Sequence, residues 1–546
     1  MTLSAVVLPT PALRGPTPLP PGPPRLERYS AAARARDGGD NVEPFRPGAR
    51  VLDAGRPSAI DRVIRQVWRG VRSLSLPNVG ESISDAERRL LGEDASYTKH
   101  KLADLLAIQA IGLALEDDTL SASAAADQSL RYDSCGKFSR LAELVVRFGA
   151  WKAGAAPASG DAATMQALET TGSGRPASPN VVLADVLDLT LAAAIEFSTL
   201  GVSSAERLAR CALRRAGSGT AMSASPAATL GLILYEQGSV QAAETLLRTH
   251  LDAIRSVGGV DCVAHTYAIL ARTAASRGDR AAALAALNEG RDIAEARGWP
   301  RMLAAMLAER IRLCGPGDER RAEAWLLQVA NLAARHRPQT RCARSEIAVH
   351  LAMAQIYSCL NFGAAQGSRP ALAKLRHDVW LGQDLRAFAW VSLAEAQLLW
   401  QEGDEAQSLV RLTETLRVAA TTGLRQQLMD AGPSTPLMID RLLQIGGLEP
   451  ELLAFTICMA ESLQRAAEAS PRPGRRTTRD DESLTPRECA VLRLIGEGRT
   501  NKAIAQLQGV APETVKTHIK HIFLKLGVER RAQAVSKAER LGLLAS

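Results

Sequence analysis

Gly238-Ser-Val-Gln-Ala-Ala243, Gly278-Asp-Arg-Ala-Ala-Ala283 and Gly317-Asp-Glu-Arg-Arg-Ala322 are three copies of one device, a glycine followed five residues later by an alanine, at spacings of 40 and 39 residues. Glycine takes the left-handed conformation that ends one helix, and the Ser or Asp behind it caps the next. The alanine lets the second helix cross close to the first. A helix pair of about 40 residues cannot bury its apolar stripe alone, so consecutive pairs stack into a solenoid. Gly201, Gly363 and Gly403-Asp404 extend the series at intervals of 37, 46 and 40 residues, without the alanine.

Outward from these turns, residues 59–463 carry Ala, Leu, Arg and Glu with apolar residues at three- and four-residue steps, broken by short Gly/Ser/Pro runs at 154–160 and 172–179. Almost no window shows the alternation of a strand rich in β-branched residues, so the expected fold class is all-α. The period exceeds the roughly 34 residues of a standard tetratricopeptide unit, so the body resembles a tetratricopeptide-like α-solenoid. Residues 58–200 are read as its start and 201–465 as the repeats proper. Trp299, followed by Pro300, and Trp400 sit at helical spacing and are assigned to inter-helix packing. The apolar stretch 181–195 contains Asp185 and Asp188, which marks a packed core helix rather than a membrane span.

The first residues have no basic start, and their apolar run is cut by Pro9 and Pro11, so no export signal is expected. Residues 1–57 hold 11 of the 27 prolines and no apolar periodicity, which predicts a disordered segment. The eight cysteines are scattered singly, without a C-x-x-C pair or a zinc spacing. They read as small buried hydrophobes in a reducing, cytoplasmic protein that holds no metal.

Charge divides the chain sharply. Residues 470–546 carry fifteen Lys/Arg against eight Asp/Glu, so +7 of the total +8 lies there and only +1 in residues 1–469. A basic small domain behind a nearly neutral body is the electrostatic footprint of a polyanion partner, although a solvated basic surface would account for charge alone.

The C-terminal residues give that charge a shape. Leu484-Thr-Pro-Arg-Glu-Cys489 is a helix start, with Thr485 as N-cap, Pro486 at the first helical position, Glu488 completing a capping box, and Leu484 and Cys489 as a hydrophobic staple. Val491, Leu492 and Ile495 form its inward stripe, and Gly496 and Gly498 end it. Thr500 then caps a short second helix over 500–508. A third begins at Pro512, with Val515, Ile519, Ile522 and Leu526 facing the core. Its other face presents Glu513, Thr517 and Lys520, flanked by Lys516 and His521, a layout suited to a major groove. Thr500, Asn501 and Lys502 lie at the start of the second helix, where free N–H groups favour a phosphate.

Leu484-Thr-Pro-Arg-Glu, Gly498-Arg-Thr-Asn-Lys-Ala-Ile-Ala, Thr514-Val-Lys-Thr-His-Ile-Lys and Lys525-Leu-Gly-Val528 together closely resemble the LuxR-type (GerE-like) helix-turn-helix domain, over about residues 483–544. The solenoid and the Gly423–Gly432 segment look like the large MalT-like activators of that family. The resemblance implies a four-helix domain binding double-stranded DNA. Base contacts fall on Lys516, Thr517 and Lys520, and phosphate contacts on Thr500, Asn501, Lys502, Thr514 and His521. It also implies a homodimer on DNA through a fourth helix over 531–541, with Ala534, Val535, Ala538 and Leu541 as its stripe, and contact with RNA polymerase. Ala511 stands where the family has a capping Ser, a loss of roughly 1 kcal/mol. Gln508 stands at a position the family fills with a buried Leu.

MalT-like activators carry an N-terminal ATPase with a P-loop, and no G-x-x-x-x-G-K-[ST] occurs here. Gly136-Lys137 lacks the upstream glycine and the following Ser/Thr, and reads as an inter-helix turn. Two readings follow: a shortened relative, or a chain whose ATPase region lies upstream of Met1. No H-E-x-x-H or G-x-S-x-G motif is present either, so neither enzyme nor cofactor is expected. The functional expectation is a transcriptional regulator with a repeat body that senses an unknown small-molecule or protein inducer, a basic linker at 466–482 and a DNA reader at 483–546. The alternative is a helical-repeat interaction scaffold that binds DNA only non-specifically.

Overall fold

The computed structural model describes residues 95–136, 138–154, 179–217, 219–336, 343–363, 368–381 and 384–469. In the C-terminal region it describes 491–492, 494–496, 499–508 and the single positions 515, 519, 522, 528, 531, 533 and 534. All belong to one unit, Ser58–Ser546. The disorder expected at 1–57, Lys137, the helix start at 484–489 and all of the expected 466–482 linker beyond residue 469 lie outside the described residues; residues 466–469, expected in that linker, instead continue the helix Pro450–Ala469.

Among the described residues every regular element is helical. Helices α1 (Ala95–Leu115), α2 (Thr119–Tyr132) and α3 (Ser139–Lys152) pack on one another. Next come α4 (Pro179–Ser198), α5 (Val202–Ala216), α6 (Ala224–Glu236), α7 (Val240–Thr249), α8 (Leu251–Val257), α9 (Val260–Ser276), α10 (Arg280–Ala296) and α11 (Pro300–Arg312). They continue through α12 (Glu319–Arg335), α13 (Ala343–Phe362), α14 (Ser368–Leu381), α15 (Leu385–Gln401), α16 (Glu405–Thr422), the single turn α17 (Gln426–Met429), α18 (Ser434–Ile445) and α19 (Pro450–Ala469). Helix α20 (Asn501–Gln508) belongs to the C-terminal domain.

Helices α6, α9, α11, α13 and α15 form one row, each touching the next. Their hairpin partners α7, α10, α12, α14 and α16 form a second row. The first row curves until α15 packs against α4 and the Arg386 guanidinium lies 5.3 Å over the Phe197 ring.

The repeating turn is built as its spacing predicts. Gly238, Gly278, Gly317, Gly363 and Gly403 have φ of 84°, 79°, 91°, 72° and 85°, a region closed to most side chains. Ala243, Ala283 and Ala322 are fully buried. Gly201 differs, with φ −75°, and Leu200 takes the left-handed position at φ 68°. The reason is register. The amide that closes the turn five residues back is Ser239 (to Leu234), Asp279 (to Ala274) and Asp404 (to Leu399) at three glycine turns, but Gly201 itself (to Glu196) here. A side chain held at positive φ costs about 1 kcal/mol.

Capping is also less uniform than expected. Asp279 and Asp404 accept the amides of Ala282 and Gln407 at 2.9 and 3.1 Å. Ser239 makes no side-chain cap, and Asp318 instead accepts the Gly315 amide and pairs with Arg280.

Helix α4 shows how two aspartates survive in an apolar stretch. Asp185 and Asp188 are buried, and Arg140 donates to both, at 2.7 and 3.1 Å. Arg147 donates to Asp188 at 2.5 Å and Arg215 to Asp185 at 3.1 Å. Among the described residues no helix is long and apolar enough to cross a membrane.

Trp299 is buried in the main core with Arg297 over its ring, and Trp400 packs half-buried against the core around Leu412 and Met438. The cysteine expectation needs correction. Cys211 and Cys359 are buried and Cys262 and Cys314 half-buried, but Cys135 and Cys458 are exposed. Singly scattered cysteines carry no positional signal, so their burial follows only from which helix face each occupies.

Candidate nucleic-acid interface

The C-terminal domain closes on its own small core. Val491, Leu492, Ile495, Ile504, Ala505, Val515, Ile522 and Ala534 are buried together, with Ile519 packed against them. These include every described position at which the sequence expects an inward residue on the first and third helices. The Arg499 amide donates to the Leu494 carbonyl at 3.1 Å, the closure that ends a helix and turns the chain toward α20.

Thr500 begins α20 as its cap. Its hydroxyl accepts the Ala503 amide at 3.3 Å and its carbonyl accepts the Ile504 amide at 2.9 Å. The residue is exposed, so the first turn of α20 opens to solvent. Asn501 is half-buried, and Arg531 donates to its carboxamide oxygen at 3.2 Å. Arg531 also donates to the Arg499 carbonyl. A guanidinium offers only donors, so the Asn501 NH2 remains available to donate elsewhere. The entrance of α20 is thus held from both sides, with amides and a carboxamide directed to one small region, an arrangement that suits a phosphate.

Arg531 is a residue that sequence reading missed as a support of this site, being read only as the start of the fourth helix. No local pattern could reveal a partner 30 residues away. Ala534, expected on the dimerising stripe, is fully buried in the domain core. Lys516, Thr517, Lys520, Thr514, His521, Val535, Ala538 and Leu541 lie outside the described residues, as does the side chain of Lys502.

Comparison with known proteins agrees with the sequence motifs. Residues 482–538 fit the model of bacterial regulatory proteins of the luxR family. The C-terminal domain is of the luxR family. Residues 221–296, spanning α6 to α10, fit the tetratricopeptide repeat. A putative HTH-type transcriptional regulator of Mycobacterium tuberculosis (strain ATCC 25618 / H37Rv) is 47% identical over 68 residues, 12% of this chain and 8% of that protein. The nitrate/nitrite response regulator protein NarL of Escherichia coli K12 is 42% identical over 82 residues, 15% of this chain and 38% of its own. The HTH-type transcriptional regulator MalT of Vibrio cholerae is 27% identical over 201 residues, 33% of this chain and 22% of MalT. The chain therefore spans well under half the length of these relatives. A luxR-family domain behind tetratricopeptide-type repeats is the arrangement expected from the motifs.

Proposed function

We propose that the chain is a cytoplasmic DNA-binding transcriptional regulator that reads promoter DNA through its luxR-family domain. The observation that carries this reading is the capped, solvent-facing start of α20, braced by Arg531, within a segment holding nearly all the net charge. The phosphate set comprises Thr500, Asn501, Lys502, Thr514 and His521, and the base-reading set Lys516, Thr517 and Lys520. In support, Val515, Ile519 and Ile522 pack on the core; in the sequence, Thr517 and Lys520 stand out of phase with them at a 3.6-residue period, and Lys516 in between.

The domain acts as a homodimer on DNA. With Ala534 committed to the core, the dimer face rests on Val535, Ala538 and Leu541. The repeat body senses a small molecule or a protein, and RNA polymerase is the further partner that transcription requires.

The test is binding of the full chain to DNA from its own upstream region across a salt series. Lys516→Ala with Lys520→Ala is expected to abolish sequence preference and to lower the salt slope by about one to two units. Unchanged affinity and preference would remove these lysines from the reading face.

A further inference from the structure

The face of the repeats that meets the 424–432 segment is polar where a packed core would be apolar. Glu309 on α11 accepts from Arg272 of α9 at 3.0 Å and from Arg312 at 2.9 Å. Arg386 on α15 pairs with Glu236 of α6 at 3.4 Å. Into this face folds the chain from Leu424 to Ala431, which leaves the last complete repeat and returns to helices far earlier in sequence. The Arg425 amide donates to the Glu236 carbonyl at 3.0 Å. Asp430 then sets its carboxylate against Tyr235, whose hydroxyl donates at 2.7 Å across 195 residues of sequence. Arg272 lies 3.7 Å from the same carboxylate oxygen, Gln426 donates to the other at 2.9 Å, and Arg312 reaches the Asp430 carbonyl at 3.4 Å.

The charges balance only with Asp430 in place. Three guanidiniums, on Arg272, Arg312 and Arg386, face three carboxylates, on Glu236, Glu309 and Asp430. Without Asp430, two arginines share the single carboxylate of Glu309 and the Tyr235 hydroxyl loses its acceptor. A hydroxyl beside a guanidinium is a carboxylate-binding pair, because both donate and the second carries the opposite charge. A buried ionic network seldom stabilises a fold more than apolar packing of the same shape, so a polar face here calls for another role. The occupant is also short. It is one helical turn bracketed by Gly423 and Gly432, at φ 78° and 94°, and anchored by the buried Leu424 and Leu428.

We propose that Tyr235 and Arg272 form a carboxylate-binding site on the repeats, with the Arg312 guanidinium adding positive charge beside it, that Asp430 occupies it as an internal stand-in, and that a carboxylate-bearing effector takes its place and frees the 424–432 segment. That segment immediately precedes α18 and α19, the last described helices ahead of the luxR-family domain, so its release lies on the covalent path between the two regions. The site itself involves no DNA. Its failure and the failure of the DNA-reading proposal are therefore separate results.

The experiment uses the full chain and acetate as the probe. A ligand that binds only the folded state stabilises it by RT ln(1 + [L]/Kd), so Asp430→Ala should show an unfolding midpoint that climbs as acetate rises to about 100 mM, against sodium chloride of equal ionic strength. The unsubstituted protein, its site filled, should not respond, and adding Tyr235→Phe should weaken the variant's response. An equal response in both proteins, or none in either, overturns the proposal. Should Asp430→Ala not fold, Asp430→Asn keeps the shape and removes the charge. Hydrogen exchange at 425–430 should then rise about tenfold or more while α9 stays protected. Unchanged exchange in that segment overturns the proposal equally.

Discussion

Arg531 braces Asn501. Its guanidinium donates to the carboxamide oxygen and to the neighbouring Arg499 carbonyl, so the start of α20 is positioned by a residue from the far end of the domain. Arg531→Ala should weaken DNA binding by about tenfold while leaving the domain folded, because one charge-assisted pair is worth about 1.5–3 kcal/mol. Arg531→Lys should recover little of it, since an ammonium cannot fork to two acceptors. Titrations of both variants against the same DNA, with circular dichroism to confirm folding, make the comparison.

Thr500→Ala removes the cap of α20 and is expected to cost about 1 kcal/mol of stability. Thr500→Ser should be close to neutral, since the hydroxyl is retained. Chemical unfolding of the two variants side by side separates the lost cap from a general intolerance of substitution.

Asp188→Ala should be among the most disruptive single changes in the repeat body. It leaves Arg147 without its carboxylate and Arg140 with one of two, beside a buried position. Breaking a buried pair costs about 3–5 kcal/mol, and the partial exposure of both arginines places the expectation near about 3 kcal/mol. The urea midpoint reports it, and Asp188→Asn should fall between the two.

Ala283→Leu should destabilise by about 1–3 kcal/mol through overpacking, because the side chain is fully buried in the main core. Ala285→Leu, on the exposed face of the same helix, should be close to neutral. Equal midpoints for the two would contradict overpacking at Ala283.

Stability should decline on mild acidification through His265. Burial holds its imidazole down to about 4 despite the nearby Asp261 carboxylate, with Arg386, Lys152 and Arg301 also opposing a further positive charge. An unfolded histidine titrates near about 6.5, so from that pH downward the unfolded chain takes up a proton that the folded one refuses. Stability therefore falls between about 6.5 and 4 and gains no further loss from this group below that. Glu309 acts lower: burial alone would raise it, but Arg272 and Arg312 hold it down to about 2, so its contribution is lost only as pH falls through the acid range toward that value. His265→Asn should flatten the stability profile between pH about 5 and 6.5 without altering it at pH about 8.

Helix periodicity, the glycine turns and the buried alanines were legible in the chain because each depends on residues within a turn or two of one another. Thr500 as a cap and Val491, Leu492, Ile495, Val515 and Ile522 as core residues were legible for the same reason. The left-handed position at Leu200 was not, since it follows from which amide closes the turn rather than from where a glycine stands. Three further relationships needed the folded chain: the arginines that neutralise Asp185 and Asp188, the bracing of Asn501 by Arg531, and the seating of Asp430 against Tyr235. Each joins residues 30 to 195 positions apart. A buried charge takes whatever opposite charge the packing brings within reach, and sequence spacing places no constraint on which residue that is.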